Sequence, residues 1–135
     1  MCGICGYLSL NHKTHALPET IKRMADSMMH RGPDEYGEYF DRGLGLGFRR
    51  LSIIDLKTGS QPMHNEDGSV TVVFNGEIYN YPELRSRLEA RHHFVTASDT
   101  EVLVHLYEEM GENLVDELSG MFAFAIWDKK REPLS

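Results

Sequence analysis

The sequence has little cysteine, no excess of positive charge and no long apolar run, and each shortage excludes a class of protein. Two cysteines, Cys2 and Cys5, are too few for the disulfide framework of a small secreted domain. A net charge of -7 argues against a nucleic-acid binder, which normally presents a basic face. No apolar run reaches the length that spans a bilayer, and no signal peptide is recognisable at the N-terminus. These absences predict a cytoplasmic protein that binds neither membranes nor nucleic acid.

What is present is typical of one globular domain. The chain has 135 residues, 41% of them hydrophobic and 26% charged, which is enough for a real core. We find no internal repeat and no low-complexity segment, so a single domain over residues 1–135 is expected.

Hydrophobic periodicity predicts a mixture of strands and helices. Helices are expected from Pro18, from Pro82, and after a capping box formed by Ser98 and Glu101. Strands are expected at 2–10, 36–40, 44–51, 70–74, 93–96 and 121–127. The segment 56–68 is expected to be a loop, and Asp128–Arg131 a hairpin turn. That turn leaves the last apolar strand without a partner, which favours pairing with another chain, for example in a homodimer.

Cys2 is a candidate nucleophile. If Met1 is removed, Cys2 carries a thiol and a free α-amine, and the amine can act as the base that the thiol needs. The alternative is a small buried hydrophobic residue, which is the more common role of cysteine and the one expected for Cys5.

Arg49 and Arg50 point to opposite faces if the segment is a strand. Arg50 then shares the face of the alternating apolar residues, where a guanidinium needs an anion. A substrate carboxylate is one candidate partner, and a structural ion pair with an acidic side chain is the other.

Polar residues follow the apolar strand at 70–74. The Asn75 amide and the Gly76 N–H could donate to one oxygen as an oxyanion hole, or Asn75-Gly76 could be a plain turn. Glu77 and Asp99 could accept from an ammonium group, or they could be a solvated acid and an acid favoured at a helix start.

No metal site is predicted. Cys2 and Cys5 match one half of a zinc motif, but zinc needs four ligands and no second cysteine pair exists. The histidines are scattered and none stands at a ligand spacing on a predicted helix.

Six motifs occur in order along the chain, and together they are far more specific than any one of them. They are Met1-Cys2-Gly3-Ile4, His30-Arg31-Gly32-Pro33-Asp34, Arg50-Leu51-Ser52-Ile53-Ile54-Asp55, Asn75-Gly76-Glu77-Ile78-Tyr79-Asn80, Ser98-Asp99-Thr100-Glu101 and Gly120-Met121-Phe122-Ala123-Phe124-Ala125. The set resembles the N-terminal glutaminase domain of glutamine-hydrolysing asparagine synthetases, which are class II glutamine amidotransferases of the N-terminal-nucleophile hydrolase superfamily. The resemblance implies that superfamily's α/β/β/α sandwich of two antiparallel sheets, an α+β fold, here incomplete at its C-terminus.

The resemblance also implies roles for named residues. Cys2 would attack L-glutamine, with Asn75 and Gly76 holding the oxyanion. Arg50 would bind the α-carboxylate of glutamine, and Glu77 and Asp99 would bind its ammonium group. The pocket would be lined by Leu51, Ile53 and Ile54. No cofactor is implied for this domain.

In the family, an ATP- and magnesium-dependent synthetase domain follows and transfers ammonia to aspartate. That domain is absent from the 135 residues, so its steps belong to a presumed parent enzyme. Two alternatives stay open. The chain could serve a relative with another ammonia acceptor, such as a surface-polysaccharide sugar, or it could be a truncated module without activity.

Overall fold

The computed structural model describes residues 3–9, 18–30, 35–50, 61–96 and 98–131. The chain divides into two compact units. The first comprises residues 1–56 and 60–62, and the second comprises residues 57–59 and 63–135. The longest of the described helices has 11 residues. None of the described helices is both long and apolar enough to cross a membrane.

The first unit is an antiparallel sheet with one helix. Strands β1 (Gly3–Leu8), β2 (Glu35–Asp41) and β3 (Leu44–Arg50) form the sheet in the order β1-β3-β2. Helix α1 (Pro18–Asp26) begins at the predicted proline and buries Ile21 and Ala25.

The glycines of β3 explain how closely α1 approaches this sheet. A Cβ at Gly47 would lie 2.7 Å from the Cys5 sulfur and 2.9 Å from an Ile21 methyl carbon. The face of β3 at Gly47 is therefore covered by helix α1 and by the Cys5 side chain. Cys5 lies opposite Gly47 in the register and is half-buried, as expected for a packing residue.

The second unit is also an antiparallel sheet, with two helices. Strands β4 (Met63–His64), β5 (Val70–Ile78) and β6 (Gly120–Asp128) pair in the order β4-β5-β6. Helices α2 (Tyr81–Leu88) and α3 (Thr100–Met110) connect β5 to a 3-10 helix at Gly111–Glu117, and a second 3-10 turn follows at Lys129–Arg131. In this sheet β6 is an edge strand, because only β5 pairs with it among the described strands.

The core of this unit lies between the sheet and the helices. Val70, Val72, Phe74 and Ile78 of β5 are at most 5% exposed and belong to one apolar cluster with residues of α2 and α3. Because side chains alternate along a strand, Asn75 and Glu77 lie on the opposite face of β5. Burying each large apolar side chain contributes about 1.5–3 kcal/mol, so this core fixes the register of β5 strongly.

Four local predictions were wrong. Met63–His64 is a short strand inside the predicted loop, the predicted strand at His93–Thr96 has no regular structure, and the predicted hairpin turn at Asp128–Arg131 is a 3-10 turn. The fourth concerns Asn75-Gly76, which lies inside β5 rather than in a turn. In that case the long-range pairing with β6 prevails over the local turn preference of the dipeptide.

Candidate active site

The structure brings together four of the predicted site residues, all in the second unit. Asn75, Gly76 and Glu77 occupy the end of β5, and Asp99 stands directly before α3. The other predicted residues belong to the first unit or to its edge. Only the backbone of Arg50, as the last residue of β3, is described, and Cys2, Leu51, Ile53 and Ile54 lie outside the described residues.

The end of β5 is built on a glycine that no other residue could replace without strain. Asn75, Gly76 and Glu77 pair in register with Ala123, Phe122 and Met121 of β6. Gly76 has a φ of 139°, and an added Cβ would lie 2.1 Å from the Met121 carbonyl oxygen. The two strands therefore approach each other as closely as backbones allow. Asn75 is half-buried, whereas Gly76 and Glu77 are exposed, so polar groups of this strand end are open to a ligand.

Asp99 is tied to the same strand end. Its carboxylate accepts a hydrogen bond from the Ile78 N–H at 3.2 Å. Burial raises the pKa of Asp99, hydrogen bonds from Ile78, from its own N–H and from Thr100 oppose the rise, and the negative charge of Glu77 adds to it. Two neighbouring acids, one of them half-buried, give this strand end a negative potential that favours a cation. An ammonium group is a cation of suitable size and hydrogen-bonding capacity.

The segment that carries Asp99 is held by a carboxylate for which the sequence predicted another role. Glu101, 1% exposed, accepts hydrogen bonds from the Val95 N–H at 2.9 Å, from the Thr96 N–H at 2.7 Å and from the Thr96 hydroxyl at 2.7 Å. The predicted capping box is thus wrong, because Asp99 is the N-cap of α3 and makes no side-chain capping hydrogen bond. Ser98 Oγ accepts from the Thr100 N–H at 3.1 Å, but Glu101 binds the preceding segment instead of the Ser98 N–H.

Asn80 supports the strand end from the other side, and the sequence reasoning assigned it no role. Its amide nitrogen donates to the Glu117 carbonyl at 2.7 Å, and its amide oxygen accepts from the Ser119 N–H at 2.9 Å. The Tyr79 N–H also donates to the Ser119 carbonyl at 2.6 Å. These bonds fix the exit of β5 against the entry of β6. The available sequence signal was the position of Asn80 at the end of the Asn75–Asn80 motif.

In the first unit, Arg49 forms a structural ion pair, whereas the ion pair predicted as an alternative concerned Arg50, whose side chain lies outside the described residues. The Arg49 side chain is 8% exposed, forms a salt bridge with Asp26, and lies over the Tyr36 ring at 5.1 Å. Hydrogen bonds from Lys22 and from Arg49 hold the pKa of Asp26 below its usual value. Arg49 therefore has a local anionic partner.

One group of possible metal ligands exists among the described residues. Glu66, His92, His105 and Glu108 each offer a donor atom, and these atoms lie within 4.8 Å of one another. None of the four was predicted as a site residue. Their separation along the chain explains why, since they come from three different segments.

Comparison with known proteins agrees with the motifs. A family model described as "Glutamine amidotransferase domain" matches residues 1–135. Asparagine synthetase [glutamine-hydrolyzing] 2 of Bacillus subtilis is 50% identical over 133 residues, covering 97% of this chain and 18% of that protein. Asparagine synthetase [glutamine-hydrolyzing] 2 of Oryza sativa is 46% identical over 130 residues, covering 96% of this chain and 22% of that protein. The chain thus spans about a fifth of the length of these relatives.

A solved structure extends the comparison to the fold. The glutamine phosphoribosylpyrophosphate amidotransferase of B. subtilis superposes with a TM-score of 0.71 at 23% identity, covering 95% of this chain and 35% of that one. At this identity the likeness shows the fold alone, an α+β arrangement that contains the two antiparallel sheets described above. Because the family model matches residues 1–135, the chain belongs to the glutamine amidotransferase domain family.

Proposed function

We propose that this chain hydrolyses L-glutamine to L-glutamate and ammonia with Cys2 as nucleophile. The observation that carries the proposal is the grouping of Asn75, Gly76, Glu77 and Asp99 at one end of β5, in a family member with cysteine in second place. Amide donors and paired acids are the groups that a carboxamide and an ammonium require.

The reaction proceeds through a thioester. After Met1 is removed, the α-amine of Cys2 takes the thiol proton, through a water molecule, and the thiolate attacks the carboxamide carbon. Asn75 and the Gly76 N–H stabilise the negative oxygen of the tetrahedral intermediate. The nitrogen takes a proton and leaves as ammonia, and water then hydrolyses the thioester to glutamate and restores the thiol.

Recognition of free glutamine uses both ends of the amino acid. Arg50 binds the α-carboxylate, and Glu77 and Asp99 bind the α-ammonium, while Leu51, Ile53 and Ile54 line the pocket. The negative charge of Glu77 beside Asp99 supports this assignment, because an ammonium group bound by two acids removes their mutual repulsion.

The ammonia serves asparagine synthesis in a longer parent enzyme. Relatives 42–50% identical are named as glutamine-hydrolysing asparagine synthetases, which supports aspartate as the acceptor. ATP and magnesium would act in the synthetase domain of that parent. Glutamine and that domain are therefore the expected partners.

Covalent labelling tests the nucleophile. The chain is incubated with the glutamine analogue 6-diazo-5-oxo-norleucine and digested for mass spectrometry. We expect one adduct on Cys2, with Met1 absent. Cys5→Ala is the matched control, because it removes the other thiol and should label like the unmodified chain. An adduct on Cys5, or none on folded protein, contradicts the proposal.

Turnover separates an enzyme from an inert module. Glutamate release is measured for the chain and for Cys2→Ala, and we expect the variant to be inactive. Equal rates would favour the inert module. Protein that retains Met1 provides a second comparison, because its α-nitrogen is an amide that cannot act as base, and we expect it to be nearly inactive.

A further inference from the structure

Three separate segments of the second unit place four side chains around one point. Glu66 lies in the turn between β4 and β5, His92 follows α2, and His105 and Glu108 stand one turn apart on α3. We propose that these four residues bind a divalent transition-metal ion, and that the bound ion fastens the three segments together. This site is separate from the glutamine site proposed above and does not depend on it.

The distances suit a tetrahedral ion. His105 Nδ1 lies 3.1 Å from a Glu66 oxygen and 3.5 Å from a Glu108 oxygen. His92 Nδ1 lies 3.3 Å and 3.9 Å from oxygens of the same two carboxylates. With metal–ligand bonds of about 2.0–2.1 Å, the ligand atoms of a tetrahedral zinc ion are about 3.3–3.4 Å apart. The observed spacings bracket that value.

Both histidines are oriented as metal ligands usually are. The Nε2 atom of His105 lies 3.0 Å from Glu101, and the Nε2 atom of His92 lies 2.8 Å from Glu109. A carboxylate that accepts the proton of one ring nitrogen leaves the lone pair of the other nitrogen free to bind a metal. In both rings that other nitrogen is Nδ1, and both Nδ1 atoms face the two carboxylates.

An unsatisfied buried atom points independently to a ligand. His105 is 1% exposed, and its Nδ1 has no hydrogen-bond partner among the described residues, although Glu66 is only 3.1 Å away. Leaving a buried polar atom unpaired is costly, and a metal ion would satisfy it. The Glu66 and Glu108 carboxylates both lie beside this atom, so a cation between them would reduce the repulsion of two negative charges.

The donor set indicates the class of ion. Imidazole nitrogens favour zinc and its neighbours among the transition metals, whereas magnesium and calcium prefer oxygen ligands only. Four protein ligands leave no open position at a tetrahedral ion, which is the arrangement of a structural site rather than a catalytic one. Glu66 and Glu108 are exposed, so an ion can reach the site from solvent.

Calorimetric titration with zinc tests the proposal on metal-free protein. We expect one zinc ion per chain and a rise in Tm upon binding, since a ligand of the native state stabilises it. Glu66→Gln and Glu108→Gln change exposed residues and should fold normally but lose most of the affinity. Glu109→Gln removes the carboxylate that bonds His92 and also Arg91, and it should weaken zinc binding by about 10–100-fold. His93→Ala is the matched control, because the exposed His93 side chain is outside the group, and it should bind like the unmodified chain.

Cobalt as a probe distinguishes this site from the two cysteines. Tetrahedral cobalt bound by nitrogen and oxygen gives visible d–d absorption without the intense thiolate charge-transfer band, and we expect that spectrum. A thiolate band would assign the metal to Cys2 and Cys5 and overturn the proposal. Absence of zinc binding, or binding that Glu66→Gln and Glu108→Gln leave unchanged, would overturn it as well.

Discussion

Replacement of Gly76 by alanine tests whether the site depends on the close approach of β5 and β6. Gly76 has a φ of 139°, a conformation that costs a residue with a side chain about 1–3 kcal/mol. The new Cβ would also lie 2.1 Å from the Met121 carbonyl oxygen and 2.6 Å from the Phe122 Cα. Backbone cannot rotate away as a side chain can, so β6 must shift.

The two costs add to a large share of the stability of a domain. Forced overpacking costs about 1–3 kcal/mol. Together with the backbone strain, we expect Gly76→Ala to lower the free energy of unfolding by about 4 kcal/mol, against a typical total of about 5–15 kcal/mol. Gly68→Ala is the matched control. Gly68 also has a positive φ, 75°, but no atom lies within 4 Å of its Cβ position, so only a backbone cost of about 1–2 kcal/mol is expected.

Urea unfolding followed by tryptophan fluorescence measures the difference. Trp127 is the single tryptophan, is 4% exposed and lies on β6, so it reports on this sheet. With an m value of about 1–3 kcal/mol/M, the Gly76→Ala midpoint should fall about 1 M or more below that of Gly68→Ala. Equal midpoints would show that β6 yields without cost and would refute the reasoning.

Three further predictions concern charged groups. Because burial raises the pKa of Asp99, the stabilisation from its protonated form is complete at low pH and is lost as the pH rises through that pKa. Asp99→Asn should therefore be more stable than the unmodified chain at neutral pH. Calorimetry should show that the variant binds glutamine more weakly. It should also show that the unmodified chain binds glutamine more weakly at acidic pH. Glu101→Gln removes a buried acceptor of several hydrogen bonds and should lower the free energy of unfolding by about 2–3 kcal/mol in thermal melts. Because the pKa of Asp26 is lowered, its carboxylate stabilises the fold above its usual pKa, and this stabilisation is lost as the pH falls through the lowered pKa. Asp26→Asn has no carboxylate that titrates beside Arg49, so its Tm should fall less on acidification.

Periodic and local signals predicted the elements of the fold well. Helix α1 begins at Pro18, as predicted, and buries Ile21 and Ala25, and α3 ends before Gly111, whose φ of 58° suits a helix end. The family was also recognised from sequence, because motifs keep their residue types wherever the fold places them.

The errors arise where distant residues decide local structure. Asn75-Gly76 has a strong turn preference, but pairing with β6 holds it in the strand. The segment 93–96 was predicted as a strand, yet its N–H groups at Val95 and Thr96 donate to Glu101 rather than to a neighbouring strand. The possible metal ligands gave no periodic signal, because their approach depends on how α3 packs on β4 and β5.

The bonds of Glu101 determine how this domain could be recombined with its relatives. One carboxylate accepts from Val95, from Thr96 and from the His105 ring, so residues 95–105 form one hydrogen-bonded block. A chimera with its crossover inside this block would join Glu101 from one parent to donors from another, and the segment that carries Asp99 would lose its support. Crossovers before residue 95 or beyond Glu108 keep the block intact, and we expect chimeras of that kind to retain folding more often.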